Sequence, residues 1–373
     1  MSLWSVIKIS LVIISICGII YLGAKIAGMT TNTSAERPKT KVLIYGILTA
    51  LLIFAPCLLF IGFMNTAIIM FHLIAFCSIA DFLVWCADKI RKSPCNHRYA
   101  DITAVSLCIL YLLNGWYQAH HVWHTKYKLE STKLSQPLRI IQFADTHIGT
   151  TFTGKEFAKH IENMQQYKPD IVVITGDLID NSTSLKDLQD FLQNLQKLNT
   201  QYGVYLVLGN HDTRSNKESL AEFDNEAMLN EVKKHGVEVL QDEVKLIDNR
   251  FYLIGRKDAY DFRRGGRRHN METLLKNLDK NKYQIVLDHQ PSDYASQEKS
   301  GVDLVLSGHT HGGQLFPINN VSLWWGLNDK IYGHEKRRQT DFIVTSGISD
   351  WELKFKTGCK SEFTIIDILP KEK

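Results

Sequence analysis

DLVLSGHTHGGQLFP, residues 303–317, opens with an apolar run that stops at a serine and a glycine, and His309 and His311 follow at once. An apolar run closed by a turn signal reads as a buried strand. The same form recurs four times upstream: IIQFA runs into Asp145-Thr-His147, IVVITG into Asp177, YLVLG into Asn210-His211-Asp212, and QIVLD into His289. Strand ends in α/β layers are where loops gather into a site. Gly176, Gly209 and Gly308 are expected to let the backbone turn tightly as the polar side chains project. Carboxylate, imidazole and one neutral amide, with no thiolate, are ligands for a divalent transition metal such as Mn, Fe, Zn or Co. Each motif alone is common by chance, and a lone histidine is usually a satisfied core or surface residue. The ordered set of five is not explained that way.

Outward from these motifs, buried strands are expected over 138–144, 171–175, 205–208, 285–287 and 302–306. Helical stretches at 155–166 and 185–198 lie between them; the first carries Phe157, Ile161 and Met164 near helical spacing. Further strands at 237–240, 245–247, 251–254, 342–345 and 363–368 have no long helices interleaved. The pattern predicts a mixed α/β fold with two sheets packed together and helices outside. Residues 129–137 are polar, lack apolar periodicity and end in proline, which reads as a linker. The expected organisation is an anchor over 1–128, that linker, and a catalytic domain over 138–373.

The five motifs and the flanking text SGHTHGGQLFP and VLDHQP resemble the calcineurin-like metallophosphoesterase superfamily, over essentially all of 138–368. Within it, the chain is similar to a membrane-bound branch of transmembrane proteins with a metallophosphoesterase domain, related to bacterial enzymes that include a UDP-2,3-diacylglucosamine diphosphatase. The resemblance implies a four-layer αββα sandwich holding two divalent ions. It implies that Asp145, His147 and His311 hold one ion, that Asn210, His289 and His309 hold the other, and that Asp177 bridges both. His211 matches the position used near the leaving group. Two ions bring +4 and the two aspartates return −2, so the site attracts a phosphate ester. Bound metals lower the pKa of water from 15.7 to about 7, which provides a hydroxide for in-line attack. His211 is then the general acid, and Asp212 either orients it or caps the next helix. Asp180 reads as a turn residue. Arg256, Arg263, Arg264, Arg267 and Arg268 bracket a Gly-Gly turn, either to bind phosphate bidentately or as a solvated basic loop.

A bilayer core of about 30 Å needs roughly 20 apolar residues of helix. Four stretches qualify, 6–24, 42–62, 67–87 and 102–118, with Pro56 expected to kink the second. Asp81 and His72 within them read as helix–helix hydrogen bonding rather than as a charged pathway. The loops after the first and third carry Lys25, Arg37, Lys39, Lys41, Lys89, Arg91, Lys92 and Arg98. The positive-inside rule places those loops in the cytoplasm and the catalytic domain outside. Lys126, Lys128, Lys133 and Arg139, after the fourth stretch, count against this. His120, His121 and His124, near Trp116, Tyr117 and Trp123, form either an i, i+4 metal pair or a membrane-interface belt. Leu323, Trp324 and Trp325 either pack a long loop, line a lipid groove or enter the interface.

A net charge of +4 is too mild to argue for nucleic acid. Only Cys359 of the seven cysteines falls in the soluble part, so no disulfide or zinc pair is expected there. The expected function is hydrolysis of a phosphoester or pyrophosphate bond, in a membrane lipid or lipid precursor by virtue of the anchor. Soluble nucleotide diesters and phosphoproteins are the alternative substrates. A non-catalytic metal-binding receptor would show a missing bridging ligand or His211, and both are present.

Overall fold

The computed structural model describes residues 3–30, 39–93, 97–181, 183–213, 224–263 and 265–372; Arg37 and Arg264, named above, lie outside them. The chain divides into two units, 1–115 and 116–373. Among the described residues, three helices are long and apolar enough to cross a membrane, not the four separate ones expected: α1 (Leu3–Thr30), α2 (Lys39–Arg91) and α3 (His97–His120). The second and third expected spans run together as one 53-residue element. Asn65 and Thr66, which separate them, tie their side chains back to Ile61 O (3.0 Å) and Gly62 O (2.8 Å) and so continue the helix. The break falls at Gly62 (φ 78°, ψ 169°) and not at Pro56; that conformation is essentially glycine-only. There α2 doubles back. A Cβ on Gly23 would lie 2.8 Å from Ile47 Cα, while Lys25 pairs with Asp81. A straight helix would hold residues 47 and 81 about 50 Å apart. Lys25 also bonds Asp101 at 2.6 Å, and Tyr21 donates to Asp81 at 2.9 Å, so the charged groups pair with one another between helices.

The strands of the second unit are central apolar runs buried on both faces and partly exposed edge strands. They are β1 (Val122–Ser131), β2 (Leu138–Phe143), β3 (Ile171–Thr175), β4 (Val204–Val207), β5 (Val237–Val239) and β6 (Glu243–Ile247). After them come β7 (Phe251–Gly255), β8 (Tyr283–Leu287), β9 (Leu304–Ser307), β10 (Gly333–Arg337), β11 (Thr340–Val344) and β12 (Ser361–Pro370). One six-stranded sheet has the order β1-β12-β2-β3-β4-β5, the other β10-β11-β9-β8-β7-β6. The pairings are parallel except β12–β2, β6–β7 and β10–β11.

Side chains alternate between two cores, as the period of a strand requires. Ile140, Ile171, Val173 and Val207 face the second sheet, against Leu253, Ile285, Leu287 and Leu306. Their neighbours Ile141, Val172, Ile174 and Leu206 face α4 (Phe157–Gln165), α5 (Leu185–Leu195) and α6 (Asn225–Lys234). Three short helices follow: α7 (Ala259–Arg263), α8 (Met271–Leu275) and α9 (Tyr294–Ser300). Met271, Leu274 and Tyr294 of the last two cover the outer face of the second sheet with Ile254, Val286 and Val305. The layers are therefore αββα, as expected. A last helical turn, α10 (Val321–Trp324), follows them.

The division between the units lies at Gly115/Trp116, not at 128. The end of the expected anchor and the first three residues of the expected linker are β1, which pairs with β12 from Val122↔Ser361 to Ser131↔Pro370. As an edge strand, VWHTKYKLES shows alternation and no apolar run: Trp123, Thr125, Tyr127 and Leu129 are the covered set, between exposed His124, Lys126, Lys128 and Glu130. His124 packs its ring on Tyr167 and Phe363, while His120 and His121 stack on Trp116 and Tyr117. The three imidazoles thus point to different partners and do not gather on a metal.

Candidate metal centre

Because β2, β3 and β4 run parallel in one sheet and β8 and β9 in the other, their C-terminal ends meet at one edge of the sandwich. Asp145, Asp177, His289 and His309 each stand two residues beyond a strand, and Asn210 three. The ends bring together three sets whose ligand atoms lie within 4.8 Å of one another: Asp145, His147 and His311; His147, Asp177 and His211; Asp177, His289 and His309. Asp177 belongs to two of them. Its Oδ2 is 3.3 Å from His289 Nε2 and 3.7 Å from His147 Nε2, and His311 Nε2 is 3.6 Å from Asp145. Asn210 Oδ1 lies 3.3 Å from His289 Nε2.

The backbone is bent to achieve this. Asp145, His147, Asp177, His309 and His311 all have positive φ, between 37° and 70°. A left-handed residue other than glycine costs roughly 1–2 kcal/mol, so five in one site are held by the surrounding fold. The His309 N–H donates to both Asp145 oxygens (3.0 Å each), and the His211 N–H donates to Asp177 Oδ1 (2.8 Å). Glycines serve proximity more than turning. Only Gly176 of the three expected has positive φ, and a Cβ there would lie 2.3 Å from His289 Nδ1. At Gly209 it would lie 2.1 Å from Asp177 Oδ1, and at Gly308 2.8 Å from Asp145 Oδ2.

The donor set fits metal ions. Both ring nitrogens of His147 and Nδ1 of His311 are buried without a hydrogen-bond partner, which natural interiors rarely tolerate. Burial pushes His147 down to about 4 and His309 down to about 3, so both imidazoles are neutral, the state that ligates. Burial also pushes Asp145 up to about 7, against the pull of His289 and Lys356. His289 Nδ1 donates to Thr175 O (2.8 Å) and so turns Nε2 toward Asp177 and Asn210. Burial would lower this imidazole, but Asp177 raises it well above the ordinary range, so ligation there would displace the Nε2 proton.

Among the described residues, the hydrogen-bond partners of the Asp212 carboxylate are backbone amides and not the His211 ring. It accepts from the backbone N–H groups of Leu178 (2.9 Å), Ile179 (3.0 Å) and Gly209 (2.8 Å), tying the β3 loop to the β4 loop. Asp180 is the expected turn residue, its backbone O accepting from the Thr183 N–H (3.1 Å) and its Oδ1 from the Asn181 N–H (2.7 Å), and it also stands 3.2 Å from His211 Nδ1 and 3.6 Å from His147 Nδ1. Burial alone would raise it; the two imidazoles hold its carboxyl below the usual range. Trp351 sets its ring edge-on to His211, 5.3 Å between centroids. Beneath the site, fully buried Lys356 donates to Ser346 O (3.0 Å) and Ser349 O (3.1 Å) and pairs with Asp350 at 3.3 Å. That clamp holds Gly347, where a Cβ would lie 2.8 Å from Asp145 Cβ. No motif marked Lys356, because a lysine so deeply buried has no local sequence signature.

The arginines divide. Arg256 is buried and bonds Asp288 and Asp293 at 2.8 Å each, and Arg268 bonds Asp288 at 2.5 Å. Both are neutralised within the protein and are not a substrate clamp. Arg263 is exposed and bonds Gln290, next to His289, at 2.5 Å, close enough to the centre to depress His309. Arg267 is exposed.

Buried imidazoles and carboxylates gathered at strained strand ends are the donor set of a metal centre. The sequence profile of the calcineurin-like phosphoesterases matches residues 138–313. An uncharacterized metallophosphoesterase of Aquifex aeolicus is 36% identical over 202 residues, covering 53% of this chain and 73% of that protein. One of Campylobacter jejuni is 30% identical over 249 residues, 65% of this chain and 62% of the relative. The transmembrane protein with metallophosphoesterase domain of Bos taurus is 27% identical over 288 residues, 74% of this chain and 63% of the relative. The chain thus spans under two thirds of the length of several curated relatives it matches. It belongs to the calcineurin-like metallophosphoesterase family.

Proposed function

We propose that this chain is a membrane-anchored, dinuclear metallophosphoesterase acting on a phosphoester or pyrophosphate bond in a membrane lipid or lipid precursor. The observation that carries the dinuclear reading is that two separate ligand groups, Asp145–His147–His311 and Asp177–His289–His309, form side by side, with Asp177 Oδ2 also 3.7 Å from His147 Nε2. Asp145, His147 and His311 would hold one divalent ion, Asn210, His289 and His309 the other, with Asp177 shared. Ions bound there supply the Lewis acidity and activated water that phosphoester hydrolysis needs. The protein contributes the rest. Thr175 O holds the His289 tautomer, and two aspartates against five neutral ligands leave the centre attractive to a phosphate. His211, with Asp180 at its Nδ1, presents its other nitrogen to the departing oxygen as general acid. Arg263 stands at the rim, where an anionic substrate would approach.

For the anchor we propose four crossings, since α2 doubles back at Gly62 and each half is long enough to span. The basic loops then face the cytoplasm and the catalytic unit lies outside. A C-terminal epitope reached by antibody only in permeabilised cells would reverse that orientation.

The full chain in detergent should hydrolyse bis-p-nitrophenyl phosphate or p-nitrophenyl phosphate when Mn is added. Activity should vanish with chelator and fall at least a hundredfold in Asp177→Asn. Protein that binds metal yet leaves both esters intact would remove generic esterase activity and return weight to a non-catalytic receptor.

A further inference from the structure

Residues 315–328, LFPINNVSLWWGLN, carry no charge, and they follow directly on the metal-ligating turn. Beyond buried Leu315 the segment does not pack into the core. Trp324 is 70% exposed and Trp325 60%, with Phe316, Ile318, Leu323 and Leu327 exposed around them. Leaving one such side chain in water forgoes about 1.5–3 kcal/mol, and a contiguous exposed patch of this kind marks an interaction surface.

Its place in the catalytic unit identifies what covers it. The Phe316 N–H donates to Thr357 Oγ1 (3.1 Å), and the N–H groups of Thr357 and Gly358 donate to Gln314 O (2.9 and 3.0 Å). Three residues beyond Gly358, a reach of about 10 Å, the Ser361 hydroxyl donates to Ala119 O at 2.8 Å. Ala119 lies in the last turn of α3, the helix long enough to cross a membrane. Trp116 and Tyr117, on that same turn, are about half exposed, and Trp123 lies just beyond under Lys360. Tryptophan and tyrosine concentrate at the level where helices leave the bilayer. The uncharged segment and the end of α3 therefore share one end of the unit.

We propose that residues 316–327 dip into the headgroup–acyl boundary of the bilayer that α3 crosses, and so hold the His309–His311 turn at the level of lipid phosphates. The proposal rests on the membrane-anchored reading above, and it deepens that reading: the substrate is an ester whose phosphate lies at the membrane surface.

The test uses the full chain in phosphatidylcholine nanodiscs, with or without bromine on the acyl chains. Subtracting the tryptophan emission of Trp324→Ser/Trp325→Ser from that of the wild type isolates the two indoles. Brominated lipid should quench this difference by at least half, while the double variant keeps its turnover of p-nitrophenyl phosphate within twofold. Difference emission untouched by brominated lipid but quenched by aqueous acrylamide overturns the proposal, as does quenching by neither, which means another protein surface covers the segment. Should the double variant misfold, Trp324→Phe and Trp325→Phe give the same subtraction. Failure of the hydrolase reading appears separately, as wild-type protein without metal-dependent turnover.

Discussion

Asp180 and Asp212 stand a few residues from the ligands and differ in what their oxygens face. Asp212 faces three backbone amides, while Asp180 accepts from one, the Asn181 N–H, and faces two imidazoles. Their removal should therefore separate. Asp180→Asn should lower turnover about 10- to 100-fold, within the range of an impaired general acid, with bound metal and melting temperature nearly unchanged. Asp212→Ala leaves three buried donors unpaired, each worth about 1–3 kcal/mol, so it should fail in folding yield or thermal stability. Metal analysis and melting curves on the two variants decide this; equal loss of metal in both would make Asp180 part of the ligand scaffold. The D-x-H and G-D motifs were legible because strand ends announce them. Asp180 was not, because a residue three positions past a ligand reads as a turn until a second loop brings His211 beside it.

At the scale of elements, loops from different strands meet with no spare room. Gly209→Ala would set a methyl 2.1 Å from Asp177 Oδ1 and 2.5 Å from its N–H nitrogen. Overpacking of this kind costs roughly 1–3 kcal/mol, and here it falls on the shared carboxylate. The variant should lose at least tenfold in activity, with less than the full metal complement by elemental analysis. Full metal content and wild-type turnover would show that the β4 loop yields easily. The strands themselves were legible as uninterrupted apolar runs. The pairing of edge strand β1 was hidden, since its partner β12 lies more than 200 residues away. The joining of two expected spans into α2 was hidden as well, because Asn65 and Thr66 look like loop residues until their side chains bond back one turn.

For the molecule as a whole, the Lys356–Asp350 clamp ties stability to pH. Burial pushes Asp350 up to about 6, although Lys356 opposes it. A carboxyl whose folded pKa is raised contributes stability that is full below its unfolded value near 4 and is lost as pH rises through about 6. Between those values the wild type should lose on the order of 3 kcal/mol relative to Asp350→Asn. Denaturation of metal-stripped protein from pH 4 to 7 measures this; a wild-type-to-variant gap independent of pH would mean that Asp350 stays ionised throughout.

Local order in the chain was enough to establish the two-part organisation, the layered α/β class and the seven ligand candidates. Apolar runs, their breaks and the residues after them are properties of neighbours in sequence. Which aspartate stands beside His211, which arginines are already neutralised, and where Trp324 and Trp325 stand depend on contacts between segments tens to hundreds of residues apart. Those pairings form only when parallel strands of two sheets bring their ends to one edge, so the tertiary structure alone decided them.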